Sequence, residues 1–213
     1  MDRAFPWGKG VGGLLSLLVL MGGGPPPASA QDDFPVVLSA GAHALTAPWY
    51  LSPVGSGFNP AFMVGTDHAI RSGNRWHFFY GVSLGFFRHR WWMTGVSLEP
   101  EIGVGHTSSG GFHADLRLGL GYMHYFWRRQ TLELKNGEYV TVTDWGRPSL
   151  ILPLSATLGY RGDTADPLSV SPFVAARWGV QGLFMEEVSV MTHFMLLGGV
   201  RIERGRDDTS GRR

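Results

Sequence analysis

The sequence has no cysteine among its 213 residues, so neither a disulfide bond nor a lipid-modified cysteine can form. It also has no uninterrupted apolar run of about 20 residues, the length that a transmembrane helix requires. Its formal net charge is +1 and its lysines and arginines are scattered, unlike the concentrated basic surface of a nucleic-acid-binding protein. The histidines do not have the spacing of a metal site, and we expect no metal or other cofactor.

The first 30 residues have the three parts of a secretory signal peptide. They begin with positive charge, continue with a short apolar run over 11–21, and end on an A-x-A cleavage motif at 28–30. The predicted domain boundaries are 1–30 for the signal peptide, 31–203 for a single folded domain, and 204–213 for a polar tail. An exported protein without disulfide bonds is typical of the bacterial cell envelope.

The rest of the chain alternates apolar residues with polar residues or glycine, most clearly over 112–127. One parity carries Phe112, Ala114, Leu116, Leu118, Leu120, Tyr122 and Phe126. Because successive side chains of a strand point to opposite faces, this segment has one apolar face and one charged, glycine-rich face. A soluble sandwich would turn the apolar face to a protein core, whereas a membrane barrel would turn it to lipid.

Eight segments of this kind follow one another along the chain. They span 36–47, 61–70, 75–88, 93–106, 112–127, 149–161, 170–184 and 188–203. Each is long enough to cross a bilayer as a tilted strand, which takes about 9 to 11 residues, and closed membrane barrels of bacteria have even strand numbers. The predicted fold is all-β, an eight-stranded antiparallel up-and-down transmembrane β-barrel preceded by a cleavable signal peptide.

The long connection 128–148 contains an Asn-Gly pair at 136–137 between alternating residues, which predicts a β-ribbon. If both termini lie in the periplasm, this connection and the one at 88–92 face outward. Aromatic residues then gather near both membrane boundaries, as in transmembrane proteins. They are Trp91, Trp92, Phe126, Trp127, Trp145 and Phe184 at the outer level and Trp76, Phe78 and Tyr160 at the inner level.

On this patterning, over roughly residues 36–203, the chain resembles the small eight-stranded barrels of the bacterial outer membrane. That group includes the OmpA transmembrane domain, OmpX, OmpW and the lipid A deacylases. The resemblance implies a location in the outer membrane, insertion by the barrel-assembly machinery, and a loop face outside the cell.

The inward parity carries most of the charge of the predicted barrel. It includes Glu99, Glu101, His113, Asp115, Arg117, Arg177, His193, Arg201 and Glu203. One interpretation is an ion path or an acid–base site built from paired carboxylates. The other is a salt-bridged plug, because an eight-stranded barrel is just wide enough for side chains to fill. We predict the plug.

Two further motifs suggest chemistry at the ends of the strands. His106 and Ser108 form a His-x-Ser sequence that resembles the arrangement of lipid A deacylases and outer-membrane phospholipase, in which an imidazole takes the serine proton. The strand pattern puts this pair in a periplasmic turn, so we do not favour catalysis there. A basic rim at the outer connections could bind lipopolysaccharide phosphates. It consists of Arg88, Arg90, Arg128, Arg129 and Arg147.

The favoured function is therefore a structural or interaction protein of the outer membrane with a plugged lumen. Its partners would be outer-membrane lipid, lipopolysaccharide at the rim, and an envelope protein that contacts the connection 128–148, with no nucleic acid. Two alternatives stay open. One is a serine-dependent hydrolase of lipid A or phospholipid, and the other is a narrow pore or transporter for small hydrophobic solutes.

Overall fold

The computed structural model describes residues 35–46, 58–73, 75–128, 131–135, 137–142, 145–161, 168–182 and 190–204. The predicted signal peptide and the tail beyond Arg204 lie outside the described residues. Within those ranges, no helix has the length and apolarity needed to cross a membrane.

Eleven strands make up the described part of the chain. They are β1 (Val36–Thr46), β2 (Pro60–Ser72), β3 (Trp76–Arg88), β4 (Met93–Thr107), β5 (Phe112–Gly119), β6 (Gly121–Trp127), β7 (Thr131–Lys135), β8 (Glu138–Val142), β9 (Arg147–Tyr160), β10 (Leu168–Gly182) and β11 (Val190–Arg204). Each of the strands β1 to β4 pairs antiparallel with the next strand in the chain. Strand β9 pairs in the same way with β10, β10 pairs with β11, and β11 pairs with β1. The sheet is therefore closed into a ring.

Strands β5 and β6 together make one barrel strand that is interrupted only at Leu120. The Leu120 amide donates to the carbonyl of Pro100 in β4 at 3.3 Å, but Pro100 has no amide hydrogen with which to return the bond. Pairing with β4 continues in the same register on both sides of the gap, and both pieces pair with β9. The ring thus has eight barrel strands, and the predicted all-β, eight-stranded barrel is confirmed.

Strands β7 and β8 form a separate two-stranded sheet within the connection between β6 and β9. Gly137 lies in the turn between them with a φ of 85°, in the left-handed region that glycine adopts without steric cost. The β-ribbon predicted from the Asn-Gly pair is therefore confirmed.

The exterior of the barrel is apolar. Along β3 the outward residues Trp76, Phe78, Tyr80, Val82, Leu84 and Phe86 are all exposed. Among the described residues of the barrel strands and the turns between them, exposed arginines lie beyond this apolar band at both ends. Arg71, Arg75, Arg161 and Arg204 lie at the end where β1 begins and β11 ends, here called the terminal end, and Arg88, Arg90, Arg128 and Arg147 lie at the opposite, loop end. Such a surface is suited to lipid, with water at each end.

The second barrel strand, which has the weakest alternation in the sequence, contains a register shift between Ala69 and Arg71. This bulge moves the terminal part of β2 out of the alternating pattern. The strand continues to Ser72, beyond the predicted end at residue 70.

Candidate functional site

The lumen is filled by side chains in two layers of different chemistry. The layer nearer the terminal end is charged and is called here the ionic layer. It consists of Asp67, Glu99, Glu101, Asp115, Arg117, Arg177 and Arg201. The layer nearer the loop end is apolar with a few neutral polar groups and is called the loop-end layer. It consists of His43, Phe87, His89, Met93, Met123, Tyr125, Ile151, Gln181 and His193.

Arg177 is the centre of one half of the ionic layer. Its guanidinium group contacts Glu99, lies 2.6 Å from a carboxylate oxygen of Glu101, and donates to the Ser155 hydroxyl at 2.6 Å. The side chains of Arg177, Glu99 and Glu101 are 6%, 1% and 2% exposed. One buried cation therefore holds two buried carboxylates, an arrangement in which the loss of the cation would leave uncompensated charge.

Asp67 is the centre of the other half. Arg117 donates to both of its carboxylate oxygens, at 2.7 and 3.0 Å, and Arg201 donates to one of them at 2.5 Å. Asp115 lies 3.4 Å from Arg117 and 3.6 Å from Arg201. The guanidinium group of Arg117 also lies 4.7 Å above the ring of Phe79. Bidentate pairing of this kind fixes the position of both partners.

The structure thus brings together six of the charged residues that the sequence placed in the lumen. His113 is buried beside them and lines the same cavity, whereas Glu203 lies at the terminal rim, 4.0 Å from Arg161 and 4.0 Å from Arg201. Asp67 was missed, although the inward parity of β2 runs through Ala61 and Gly65 to this residue. The weak pattern near the bulge concealed it.

Little free space remains in the ionic layer. A cavity of about 50 Å³ lies between Glu101, Asp115, Arg117 and Arg201, which is room for at most a few water molecules. Among the described residues, no group of three or more histidine or acidic side chains is placed to hold a metal ion.

The loop-end layer was not foreseen, because the prediction treated the whole lumen as a salt-bridged plug. Met93, Met123 and Tyr125 are completely buried there. The ring of His43 stacks on Phe87 with centroids 4.1 Å apart. His43 is hydrogen-bonded to His193. The signal is present in the sequence, since Phe87, Met93, Met123 and Tyr125 have the same inward parity as the charged residues.

The loop-end rim is built on the turn between β3 and β4. The backbone amide of Arg90 donates to the Asn59 side chain at 2.7 Å, and its guanidinium group lies 4.9 Å above the ring of Trp91. His89 of this turn is 3% exposed, and burial lowers its pKa from the ordinary value. Arg88, Arg128 and Arg147 are exposed at the same end, while Arg129 lies outside the described residues.

His106 and Ser108 lie at the terminal end. His106 is the last residue but one of β4, next to the turn that leads to β5. Its ring packs edge-on against Trp76, with ring centroids 4.8 Å apart. The backbone amide of Ser108 donates to the carbonyl of Phe112 at 2.8 Å and the Ser108 carbonyl accepts from Gly111, so that Ser108 forms part of a tight turn. Hydrolysis by this pair stays an alternative that the sequence analysis does not favour.

Among solved structures, the chain is similar to Neisserial surface protein A (NspA), with 16% identity, a TM-score of 0.52, and coverage of 80% of this chain and 96% of that one. It is also similar to the outer membrane enzyme PagL (9%, 0.44, 78% and 97%) and to Ail, the attachment invasion locus protein of Yersinia pestis (12%, 0.43, 80% and 99%). The fold is that of a small outer-membrane β-barrel. Similarity at such identities shows the fold alone. No family model and no curated protein matches the sequence.

The predicted resemblance to the eight-stranded outer-membrane group is therefore confirmed at the level of the fold. Because the barrel is closed and its exterior is apolar between two arginine-bearing ends, it is built to span a bilayer. With this fold, the predicted location in the bacterial outer membrane is confirmed.

Proposed function

We propose that this outer-membrane barrel is not an enzyme and acts through its loop end, with the filled lumen as a rigid support. The observation that carries this proposal is that both layers of the lumen are occupied. Arg177 and its two carboxylates fill the middle of the barrel, and Met93, Met123 and Tyr125 fill the loop end. A lumen packed in this way supports a stable outer surface better than it supports passage of a solute.

The loop-end rim has the composition of a surface for lipopolysaccharide phosphates. Arg88, Arg90, Arg128 and Arg147 are exposed there, and guanidinium groups bind phosphate oxygens in pairs. Trp91 and Trp145 are 63% and 83% exposed at the same end, as expected for aromatic residues at the level of lipid headgroups.

The hairpin of β7 and β8 is the second feature of the loop end. Within the described residues, its two strands pair only with each other, so that backbone groups along its edges are open to a partner strand. On β8, Tyr139 is 74% exposed and Val140 is 36% exposed. An exposed aromatic side chain beside an open strand edge supports contact with an envelope protein.

The rim proposal is tested by lipopolysaccharide binding to the refolded barrel. We expect replacement of Arg88, Arg90, Arg128 and Arg147 by glutamine to weaken binding of purified lipopolysaccharide about tenfold or more. The matched control replaces the four terminal-end arginines Arg71, Arg75, Arg161 and Arg204, which removes the same charge from the opposite end. Equal losses in the two variants would contradict a specific rim.

The hydrolase alternative makes a different prediction. If Ser108 attacked lipid esters, Ser108→Ala would change the acyl chains of lipid A or phospholipid in cells that produce the protein. We expect identical acyl chains, analysed by mass spectrometry, for the wild-type protein and the variant. Different acyl chains in the two strains would contradict the proposal that the protein is not an enzyme.

A further inference from the structure

The loop-end layer contains three histidines that the proposed function does not use. Nε2 of His43 and Nδ1 of His193 are 3.0 Å apart, and the rings of His43 and His89 have centroids 6.1 Å apart. His43, His89 and His193 are only 1%, 3% and 1% exposed. Three titratable rings are thus buried together at the loop end of the lumen.

The hydrogen bonds assign the protons of two of these rings. With the Gln181 amide in its assigned orientation, its side-chain oxygen accepts from Nε2 of His193 at 2.7 Å. Nδ1 of a neutral His193 then has the lone pair, and it accepts from Nε2 of His43. This leaves a lone pair on Nδ1 of His43, which is buried without a hydrogen-bond partner. The chain of bonds therefore accommodates two neutral imidazoles and ends on an open proton acceptor.

No carboxylate faces these rings from the described strands. Besides the three histidines, the titratable group in this layer is Tyr125 of β6. In the adjoining ionic layer, Glu99 of β4 and Arg177 of β10 pair with each other. On the other side, the chain neighbours of His89 are two cations, Arg88 and Arg90. An imidazolium ion in the loop-end layer would therefore be buried without an opposite charge, which is costly. If both His43 and His193 were protonated, two N–H groups would face each other across the present hydrogen bond.

We propose that His43, His89 and His193 form a proton-binding site whose occupation loosens the loop-end layer and leaves the ionic layer paired. Protons reach the site from the loop-end mouth. The entry residue is His89, because it lies in the turn between β3 and β4, where its Nδ1 accepts from the Trp91 amide at 3.4 Å. Acid therefore opens the loop end of the lumen and exposes its apolar side chains.

The absence of cysteine makes a direct test simple, because any introduced thiol is the only one. Ala61 is completely buried against Phe87 in the loop-end layer, and Thr141 is exposed on the hairpin. We expect labelling of Ala61→Cys by a water-soluble methanethiosulfonate, divided by labelling of Thr141→Cys, to rise about tenfold from pH 7.5 to pH 5 in lipid nanodiscs. Replacement of all three histidines by glutamine should reduce that rise to less than about twofold.

Three further variants keep the test decisive. If the triple replacement does not fold, His89→Gln alone can be used, because His89 lies outside the strands. His89→Gln should reduce the rise in labelling at acid pH, whereas His106→Gln, on the exterior of the barrel, should not. Ser169→Cys, buried at the terminal end with a hydroxyl that has no hydrogen-bond partner, should show no acid response. The proposal is overturned by an unchanged labelling ratio in the protein with all histidines, by an equal rise in the triple variant, or by an equal rise at Ser169→Cys.

Discussion

The ionic layer and the loop-end layer fill the same barrel by different physical means. In the ionic layer, Arg177 holds Glu99 and Glu101, so each buried charge depends on a specific partner. In the loop-end layer, Met93 and Met123 fill volume, and the hydrogen bond between His43 and His193 is one that two neutral imidazoles can make. Loss of a charged partner should therefore reduce stability most in the ionic layer. In the loop-end layer, stability should be reduced most by loss of side-chain volume or by gain of charge.

The largest expected effect is in the ionic layer. Arg177→Gln leaves Glu99 and Glu101 buried without their cation, and we expect it to lower the free energy of unfolding by about 3–5 kcal/mol. Urea unfolding of the barrel in lipid vesicles measures this change.

The control combines Arg177→Gln with Glu99→Gln and Glu101→Gln. Because this variant removes the charges together, much of the lost stability should return. If the triple variant were as unstable as Arg177→Gln, the defect would come from packing, and the ionic layer would not differ from the loop-end layer in the way described.

A smaller effect is expected from loss of volume at the loop end. Met123 is fully buried in the apolar cluster, and Met123→Ala should lower the free energy of unfolding by about 2–4 kcal/mol, the usual range for large-to-small substitutions in a core. The same urea titration measures it. Met123→Leu, which keeps the volume, should be close to the wild-type protein, and a large loss in that variant would argue against simple packing.

The two layers were not equally visible in the sequence. Strict alternation in β3, β5 and β9 predicted the barrel and its lipid-facing side. In a strand, residues at alternate positions share one face, so the pattern shows directly which face is apolar and which is polar. The charged residues Glu99, Asp115 and Arg177 stood out on the inward face. No local sequence pattern shows that Asp67, which lies on a bulged strand, accepts hydrogen bonds from both Arg117 and Arg201, because this pairing depends on the closure of the ring.

The loop-end layer shows a second limit of sequence reasoning. The parity of Phe87 and Tyr125 places them on the inward face, but it does not show that they pack into an apolar layer of their own. The contact between His43 and His193 joins residues 150 positions apart. It follows from the pairing of β11 with β1, which no short-range pattern reports.

We expect acid pH to destabilise the loop-end layer through its histidines, by less than the loss caused by Met123→Ala. Burial lowers the pKa of His89 in the folded barrel, while the unfolded chain binds a proton near the ordinary value of about 6.5. The unfolded state therefore takes up more protons below that value, and the free energy of unfolding falls as the pH falls through it. His89→Gln should make the stability less dependent on pH between about 7 and 5. An unchanged slope would show that His89 does not contribute.

The smallest effect is expected at the edge of the ionic layer. Glu203 is partly exposed and lies 4.0 Å from Arg161, whose side chain is 52% exposed. Exposed ion pairs contribute little, so Glu203→Gln should change the free energy of unfolding by less than about 1 kcal/mol. A loss as large as that of Arg177→Gln would mean that the buried and exposed pairs do not differ as proposed.

The central claim, that side chains close the lumen, is tested most directly by planar-bilayer recording at neutral pH. Insertion is verified independently with a fluorophore on Thr141→Cys, and each inserted barrel is then examined for current. We predict no steady conductance from barrels that are shown to be inserted. A steady current through the inserted wild-type barrel at neutral pH would contradict a closed lumen, and the proposed function that depends on it.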